Sequence, residues 1–82
     1  MKVLKFFTDT CMPCKVVGKV LEKIEDLEVT PVNAGENPAM VDKYNVFMTP
    51  TLIFLNEEGK EVERTKGLVN ESKIREILAK YK

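Results

Sequence analysis

Apolar residues recur with two different periods along this chain, and the changes of period divide it into predicted elements. Residues 3–7 and 51–55 are nearly continuous apolar runs of strand length, each followed by polar turn residues. Residues 12–27 and 70–81 instead repeat apolar side chains every three or four positions, which is typical of amphipathic helices. In the first of these helices the repeating positions are Val16, Val17, Val20, Leu21, Ile24 and Leu27.

A second strand and a short helix are predicted between these segments. Residues 28–33 have strand character, and Pro31 indicates an edge position because proline cannot donate a hydrogen bond to a neighbouring strand. Asn37 as N-cap and Pro38 in the first helical position are typical of a helix start. We expect this helix to be short and to end near Tyr44 and Asn45.

The chain continues into a hairpin and a final helix. Residues 60–66 predict a more polar strand, joined to residues 51–55 by the turn at 56–59, so these two strands are antiparallel. Asn70 is a typical N-cap for the last helix. The element order is β-α-β-α-β-β-α, and the helical crossover makes the first two strands parallel. We predict one α/β domain over residues 1–82, with a four-stranded mixed sheet flanked by three helices.

Composition excludes several classes of function. Thirteen basic and thirteen acidic residues cancel, so neither nucleic acid nor an anionic membrane is an expected partner. The absence of histidine removes the usual general base and the usual metal ligand. No apolar run approaches the roughly 20 residues of a membrane span, and Lys5 interrupts the first apolar stretch. We therefore expect neither a signal peptide nor a membrane-spanning segment, and assign the protein to the cytoplasm.

The only two cysteines, Cys11 and Cys14, lie where the first predicted strand gives way to the first helix. The unpaired N–H groups and the positive dipole end of that helix favour a thiolate at Cys11. A thiolate is the form of cysteine that acts as a nucleophile. Cys14 follows one helical turn later, close enough to form a disulfide with Cys11. Because structural disulfides are rare in the cytosol, the pair predicts a dithiol–disulfide switch.

Two other roles for the cysteines have less support. A purely structural disulfide would close a very short loop, and the chain-entropy model gives it only about 2 kcal/mol. A structural zinc site needs four cysteine or histidine ligands, of which this chain supplies two. We therefore expect no metal and no bound cofactor.

Four landmarks, in order along nearly the whole chain, resemble the thioredoxin superfamily. They are the sequence CMPCK from residue 11, the pair Asn37 and Pro38 leading to KYNV, the sequence TPT at residues 49–51, and Gly59 and Gly67 in and after the hairpin. A Cys-x-x-Cys pair alone is common, but one followed about 35 residues later by TPT is specific. The resemblance implies the thioredoxin fold, with Pro50 preceded by a cis peptide bond.

The resemblance also implies roles for individual residues. Cys11 would attack a substrate disulfide, and Cys14 would then resolve the mixed disulfide. The backbone of Thr49 would pair with the bound substrate segment in the manner of an added strand. The residues expected to contact substrate are Thr10, Met12, Pro13, Met48, Thr49 and Pro50.

The chain departs from the family pattern at several positions. It is similar in size to glutaredoxins, without the extra N-terminal strand and helix of full-length thioredoxins. Thr10 stands where the family usually has tryptophan, and Met12 where it has glycine. Lys5 occupies the position of a buried acidic residue on the first strand. Two interpretations of Lys5 stay open: a side chain that reaches solvent, favoured by the cost of burying an ammonium, or a charge beside the dithiol.

We predict a small monomeric thiol–disulfide oxidoreductase that reduces protein disulfides. The resemblance implies thioredoxin reductase as electron donor and disulfide-containing substrate proteins, with ribonucleotide reductase among them. One alternative is a glutaredoxin-like enzyme that uses glutathione, although residues 66–71 contain one glycine where glutaredoxins have a Gly-Gly pair before an acidic residue. The other alternative is a redox-inert adaptor that only shares the fold.

Overall fold

The computed structural model describes residues 1–81 and contains the seven elements in the predicted order. They are β1 (Lys2–Phe7), α1 (Met12–Glu22), β2 (Glu28–Asn33), α2 (Pro38–Tyr44), β3 (Thr51–Leu55), β4 (Glu61–Lys66) and α3 (Glu71–Lys80). The last residue of the predicted domain, Lys82, lies outside the described residues. The α/β class and the count of strands and helices are as predicted.

The four strands form one mixed sheet in the order β2-β1-β3-β4. β1 and β2 are parallel, as the helical crossover predicted, and β3 is antiparallel to both of its neighbours. Pro31 lies on β2, which is an edge strand. A proline is tolerated there because its missing N–H does not remove a hydrogen bond between central strands. β3 is central and all five of its residues are buried, which explains its nearly unbroken apolar sequence.

Alternate side chains of the central strands supply two cores, one on each face of the sheet. The core beneath α1 and α3 consists of Val3, Val17, Leu21, Ile24, Leu52, Phe54, Ile74 and Ile77. The core on the α2 face consists of Leu4, Phe6, Val32, Val46, Ile53 and Leu55. The helices therefore cover both faces, and the loops at the strand ends remain accessible.

Helix α1 is shorter than its apolar repeat predicts. It ends at Glu22 rather than near Leu27, and the backbone N–H of Lys23 bonds to carbonyls of the preceding turn. Ile24 nevertheless stays buried, and Leu27 packs partly buried against the same core. The repeat continues past the helix because the turn returns these side chains to the core, so periodicity overestimated the helix length.

The two predicted asparagine N-caps differ in the structure. Asn70 caps α3 as predicted, because its side chain accepts the N–H of Lys73 at 2.8 Å. Asn37 occupies the N-cap position of α2 but makes no side-chain cap bond. Its Nδ2 instead donates to the carbonyl of Asn33 at 2.9 Å, so it fastens the preceding loop rather than the helix.

The far end of α2 is held by an arginine from another element. Arg64 on β4 donates to the carbonyls of Tyr44 and Asn45, at 2.7 Å and 3.3 Å. The same guanidinium donates to the Glu61 carboxylate at 2.8 Å. These hydrogen bonds satisfy carbonyls that the helix leaves unpaired and join α2 to the edge of the sheet.

A membrane-crossing helix would need to be longer and more apolar than any helix found within residues 1–81.

Candidate active site

The ends of three strands lie side by side at one end of the sheet. Phe6 near the end of β1 pairs with Thr51 at the start of β3, and Thr51 pairs with Lys66 at the end of β4. The segments that continue from β1 and lead into β3 carry residues 8–14 and 48–50. The antiparallel register of β1 and β3 therefore brings the cysteine segment and the Thr-Pro segment to the same end of the sheet.

Cys11 and Cys14 form a disulfide, with Cα atoms 5.2 Å apart, inside the usual range for this bond. Cys11 is the N-cap of α1, and its Sγ accepts the backbone N–H of Cys14 at 3.1 Å. Cys11 is half-buried, whereas Cys14 is only 4% exposed. The two sulfurs therefore differ in access, and the more accessible one lies at the positive end of the helix dipole.

The loop that leads into α1 is short and hydrogen-bonded. The N–H of Cys11 donates to the carbonyl of Thr8 at 3.2 Å, which turns the chain from β1 into the helix. Pro13 lies in the first turn of α1, where its missing N–H costs no intrahelical bond. Asn33 donates to the side chain of Asp9 at 3.2 Å. These contacts fix Cys11 at the start of the helix.

The segment before β3 contains the predicted cis bond, between Thr49 and Pro50. Pro50 is fully buried, and its carbonyl accepts the N–H of Gly67 at 2.8 Å. The hydroxyl of Thr51 donates to the carbonyl of Met48 at 2.6 Å. The segment is thus held at both sides of the cis bond, with Thr49 half-buried.

Large apolar side chains are exposed on the segments that carry the disulfide, the cis bond and Gly67. We call them the apolar rim: Met12, Val16, Phe47, Met48 and Leu68, with exposed fractions from 46% to 84%. Two of these segments are joined by the hydrogen bond from Gly67 to Pro50, and exposed apolar residues on neighbouring segments mark interaction surfaces more often than singly scattered ones do. The rim therefore indicates a site that meets a partner with apolar surface.

The sequence predicted eight residues for the site, and all of them lie on the segment at residues 8–14 or on the segment at residues 48–50. They are Thr10, Cys11, Met12, Pro13 and Cys14 on the first, and Met48, Thr49 and Pro50 on the second. Sequence reasoning missed Leu68, although a large apolar residue directly after Gly67 and outside every predicted element was a usable signal. Val16, one of the repeating apolar positions of the first helix, is exposed.

Lys5 is half-buried and lies next to α1. A Cβ atom added at Gly18 of that helix would lie 3.3 Å from Lys5 Nζ. The ammonium also lies 5.4 Å from the centre of the Phe7 ring. Lys5 and Cys14 line the same open cavity. Of the two interpretations of Lys5, the structure supports a charge beside the dithiol helix, although solvent still reaches it through the cavity.

Potential metal ligands do not gather at this site. Within residues 1–81, no group of three or more histidine, cysteine, aspartate or glutamate side chains is placed to hold a metal ion. The only thiols of the chain are those of the two cysteines, and their sulfurs are bonded to each other. The chemistry that this arrangement offers is the making and breaking of a disulfide.

Comparison with known proteins supports the same chemistry. The family model of the thioredoxin-like domain matches residues 2–82. Thioredoxin from Chlamydia caviae is 34% identical over 83 residues, covering 96% of this chain and 80% of its own length. A mutant thioredoxin from Halobacterium salinarum superposes with a TM-score of 0.89 at 29% identity, over 98% of this chain and 73% of that one. For Fasciola hepatica thioredoxin the TM-score is 0.79 at 34% identity, over 99% and 80%.

The fold and the paired cysteines at the start of α1 define a thiol–disulfide oxidoreductase. Within that class, the chain belongs to the thioredoxin-like family. The predicted thioredoxin fold is confirmed, and so is the predicted class of activity, a thiol–disulfide oxidoreductase. The hypothesis of a redox-inert adaptor is not supported, since the cysteine pair is intact and bonded.

Proposed function

We propose that the protein reduces disulfides of other proteins, with Cys11 as the attacking residue and Cys14 as the resolving residue. The observation that carries this assignment is the difference between the two sulfurs. Cys11 is the half-buried N-cap of α1, whereas Cys14 is 4% exposed inside the first turn. A bulky protein disulfide reaches the first sulfur more easily than the second.

The reaction proceeds by two exchanges of sulfur bonds. In the reduced enzyme, the Cys11 thiolate attacks one sulfur of the substrate disulfide, and the other substrate sulfur leaves as a thiolate. The Cys14 thiolate then attacks Sγ of Cys11, which forms the Cys11–Cys14 disulfide and releases the second substrate sulfur. The substrate gains two electrons, the dithiol loses two, and solvent supplies the protons to the released thiolates.

Substrate contacts are proposed for the two segments beside the disulfide. The half-buried Thr49 offers its backbone to an extended substrate strand, as in other cases of strand addition. Thr10, Met12, Pro13 and Met48 lie on these two segments and are proposed to contact the substrate, with Pro50 holding the second segment through its hydrogen bond to Gly67. The unbranched side chains of Met12 and Met48 adapt to varied apolar surfaces, which suits several protein substrates better than one small molecule.

The electron donor and the natural substrates follow from the family relationship. We propose thioredoxin reductase as the donor, ribonucleotide reductase among the substrates, a monomeric state and a cytoplasmic location. The supporting facts are the relatives named thioredoxin and the exposed apolar rim. The alternative donor is glutathione, as expected for a glutaredoxin-like enzyme.

Trapping the mixed disulfide tests the order of attack. The Cys14→Ser variant is mixed with insulin, a test protein whose disulfides are intact. It should accumulate a covalent adduct through Cys11 that a reductant releases. The matched Cys11→Ser variant should give no adduct. An adduct on Cys14 in the second variant, with none on Cys11 in the first, would reverse the proposed roles.

The choice of donor is tested with the unaltered protein. Insulin reduction is followed with NADPH and thioredoxin reductase, and separately with glutathione, NADPH and glutathione reductase. We expect turnover with the first system and little above background with the second. The opposite result would assign the protein to the glutaredoxin-like alternative without affecting the order of attack.

A further inference from the structure

A glycine in the middle of α1 leaves a notch that a lysine from the sheet occupies. Gly18 is an unfavourable residue for a helix interior, because it has no side chain to restrict the unfolded chain. In the structure, a Cβ at Gly18 would lie 3.3 Å from Lys5 Nζ, closer than ordinary packing. The missing side chain therefore makes room for the amine of Lys5.

The direction of the Lys5 side chain follows from the pleat of β1. Successive side chains of a strand point to opposite faces, so Val3, Lys5 and Phe7 share one face of the sheet. Val3 belongs to the core beneath α1. The stem of Lys5 runs along this face beside the Phe7 ring, whose centre lies 5.4 Å from the ammonium. None of the ion pairs formed within residues 1–81 involves Lys5, so no carboxylate neutralises it at close range.

The notch places this ammonium near the resolving cysteine. Gly18 follows Cys14 by four residues, and such positions on a helix have Cβ atoms about 5–6 Å apart. Adding the 3.3 Å between Lys5 Nζ and the Gly18 Cβ position puts the ammonium within about 9 Å of the Cys14 Cβ atom. Lys5 and Cys14 also line one cavity that is open to water.

The other charged residues that line this cavity are exposed to solvent. They are Asp9 from the loop before α1, and Lys15, Lys19 and Glu22 from α1 itself. Asp9, Lys15, Lys19 and Glu22 are exposed, whereas Lys5 is half-buried. With two carboxylates and three lysines the cavity carries one net positive charge, and Lys5 is the least hydrated contributor to it.

We infer that Lys5 is a positioning charge for the resolving step, where its ammonium stabilises the thiolate of Cys14. The inference rests on the proposed role of Cys14. In that step the Cys14 thiol loses its proton to water in the cavity, and the thiolate then attacks Sγ of Cys11. The Cys11–Cys14 bond forms, the bond to the substrate sulfur breaks, and that sulfur leaves as a thiolate. Lys5 keeps its proton throughout.

The size of the effect follows from Coulomb's law. A unit charge about 9 Å away, in an effective dielectric between about 20 and 80, changes the population of a thiolate about 2- to 20-fold. Removing the charge should slow resolution by that factor at pH values where Cys14 is mostly protonated. At high pH the thiolate forms without help, so the rates should converge.

The test uses 5,5′-dithiobis(2-nitrobenzoate) as a chromophoric disulfide in rapid mixing with the reduced protein. Attack by Cys11 releases one nitrothiobenzoate, and resolution by Cys14 releases a second in a separate first-order phase. We expect Lys5→Met to slow the second phase about 2- to 20-fold at low pH and to move its pH midpoint upward. Lys5→Arg, which keeps the charge, should restore the original profile.

Two controls separate charge from packing. Lys2→Met removes the same charge from the other end of β1, where Lys2 is exposed and paired with Glu28 at 3.7 Å, and its profile should match the unaltered protein. Gly18→Ala keeps every charge but displaces the Lys5 amine, so it should slow resolution at low pH while favouring the helix. It gives an independent test if Lys5→Met folds poorly.

The outcomes distinguish this inference from the proposed function. A missing second phase in the unaltered protein would overturn the resolving role of Cys14 and the inference with it. A normal second phase that Lys5→Met leaves unchanged at every pH would overturn the inference alone. An equal slowing at every pH would also overturn it, because that result indicates a packing defect rather than a charge effect.

Discussion

The start of α1 and the end of α2 are two helix termini that satisfy their unpaired backbone groups in opposite ways. At the start of α1, Sγ of Cys11 accepts the N–H of Cys14, three residues away in the chain. At the end of α2, the guanidinium of Arg64 donates to the carbonyls of Tyr44 and Asn45, 20 and 19 residues away. The first cap is local and chemically reactive, and the second is long-range and inert.

The comparison shows that the chemical reactivity of a helix end and its contribution to the stability of the fold are separate properties. Sulfur is a weak acceptor, so α1 gains little from its cap, while a thiolate at Cys11 gains from the helix dipole. Arg64 is a strong planar donor that serves α2 and Glu61 at once. Changes at Cys11 should therefore act mainly on activity, and changes at Arg64 mainly on folding.

The largest effect is expected for Cys11→Ser. Loss of the attacking sulfur should lower insulin reduction about a thousandfold or more, to the level of uncatalysed exchange. Serine is itself a good N-cap, so the free energy of unfolding should stay within about 0.5 kcal/mol of the reduced unaltered protein. The comparison uses reduced protein so that the disulfide does not contribute. A large loss of stability would contradict the view that this cap serves chemistry.

Arg64→Met tests the opposite prediction at the end of α2. It leaves the carbonyls of Tyr44 and Asn45 without their charged donor and should cost about 1–2 kcal/mol in urea unfolding. The insulin-reduction rate per folded molecule should not change, since Arg64 lies outside the site. Arg64→Lys keeps the positive charge but lacks the planar guanidinium with its several donors, so it should retain only part of the stability. An unchanged urea midpoint would show that water donates to the two carbonyls as well as the guanidinium does.

The two asparagines that precede helices sharpen the comparison further. Asn70→Ala removes the acceptor of the Lys73 N–H and should destabilise the protein by about 1 kcal/mol. Asn37→Ala removes only an exposed hydrogen bond to the Asn33 carbonyl and should cost less than half as much. Urea unfolding of both variants measures the difference. Equal costs would mean that position, rather than the cap bond, decides stability.

The smallest effect concerns pH. Hydrogen bonds from Arg64 lower the pKa of Glu61 below its ordinary value of 4.5, partial burial opposes this, and the attraction between the two charges adds to it. The same hydrogen bonds raise the pKa of Arg64. Because the unfolded chain takes up the Glu61 proton first, the pair stabilises fully above about pH 4.5, and this contribution is lost as pH falls through the lower folded value.

The expected stabilisation by this pair is below about 1 kcal/mol, because both side chains are partly exposed. Glu61→Gln should be less stable than the unaltered protein at pH 7, and the difference should shrink as pH falls below about 4.5, through the lowered pKa of Glu61 in the folded protein. Glu57→Gln, in the exposed turn of the hairpin, is the matched control and should show no such difference. A difference in stability between the Glu61→Gln and unaltered proteins that stays constant as pH falls would indicate that packing, rather than charge, provides the stabilisation.

Sequence reasoning succeeded where the signal is local. The strand–Cys11 junction, the bounds of β2 and the cap at Asn70 were predicted from neighbouring residues, whereas the cis bond before Pro50 was expected from the family resemblance. The end of α1 was misplaced because Ile24 continues the apolar repeat into a turn. The exposed position of Val16 was missed because a helical repeat shows which residues are apolar, but not which of them the sheet covers.

The sequence by itself determined the order of elements and the pairing of Cys11 with Cys14, because periodicity, capping and the spacing of the cysteines act over one or two helical turns. Only the tertiary structure decided which strand end meets which segment, that Arg64 caps α2, and that Lys5 fits the notch at Gly18. Such contacts join residues at least 13 positions apart, and they depend on how the strands pair and how the helices pack on the sheet. No pattern of neighbouring residues specifies that packing.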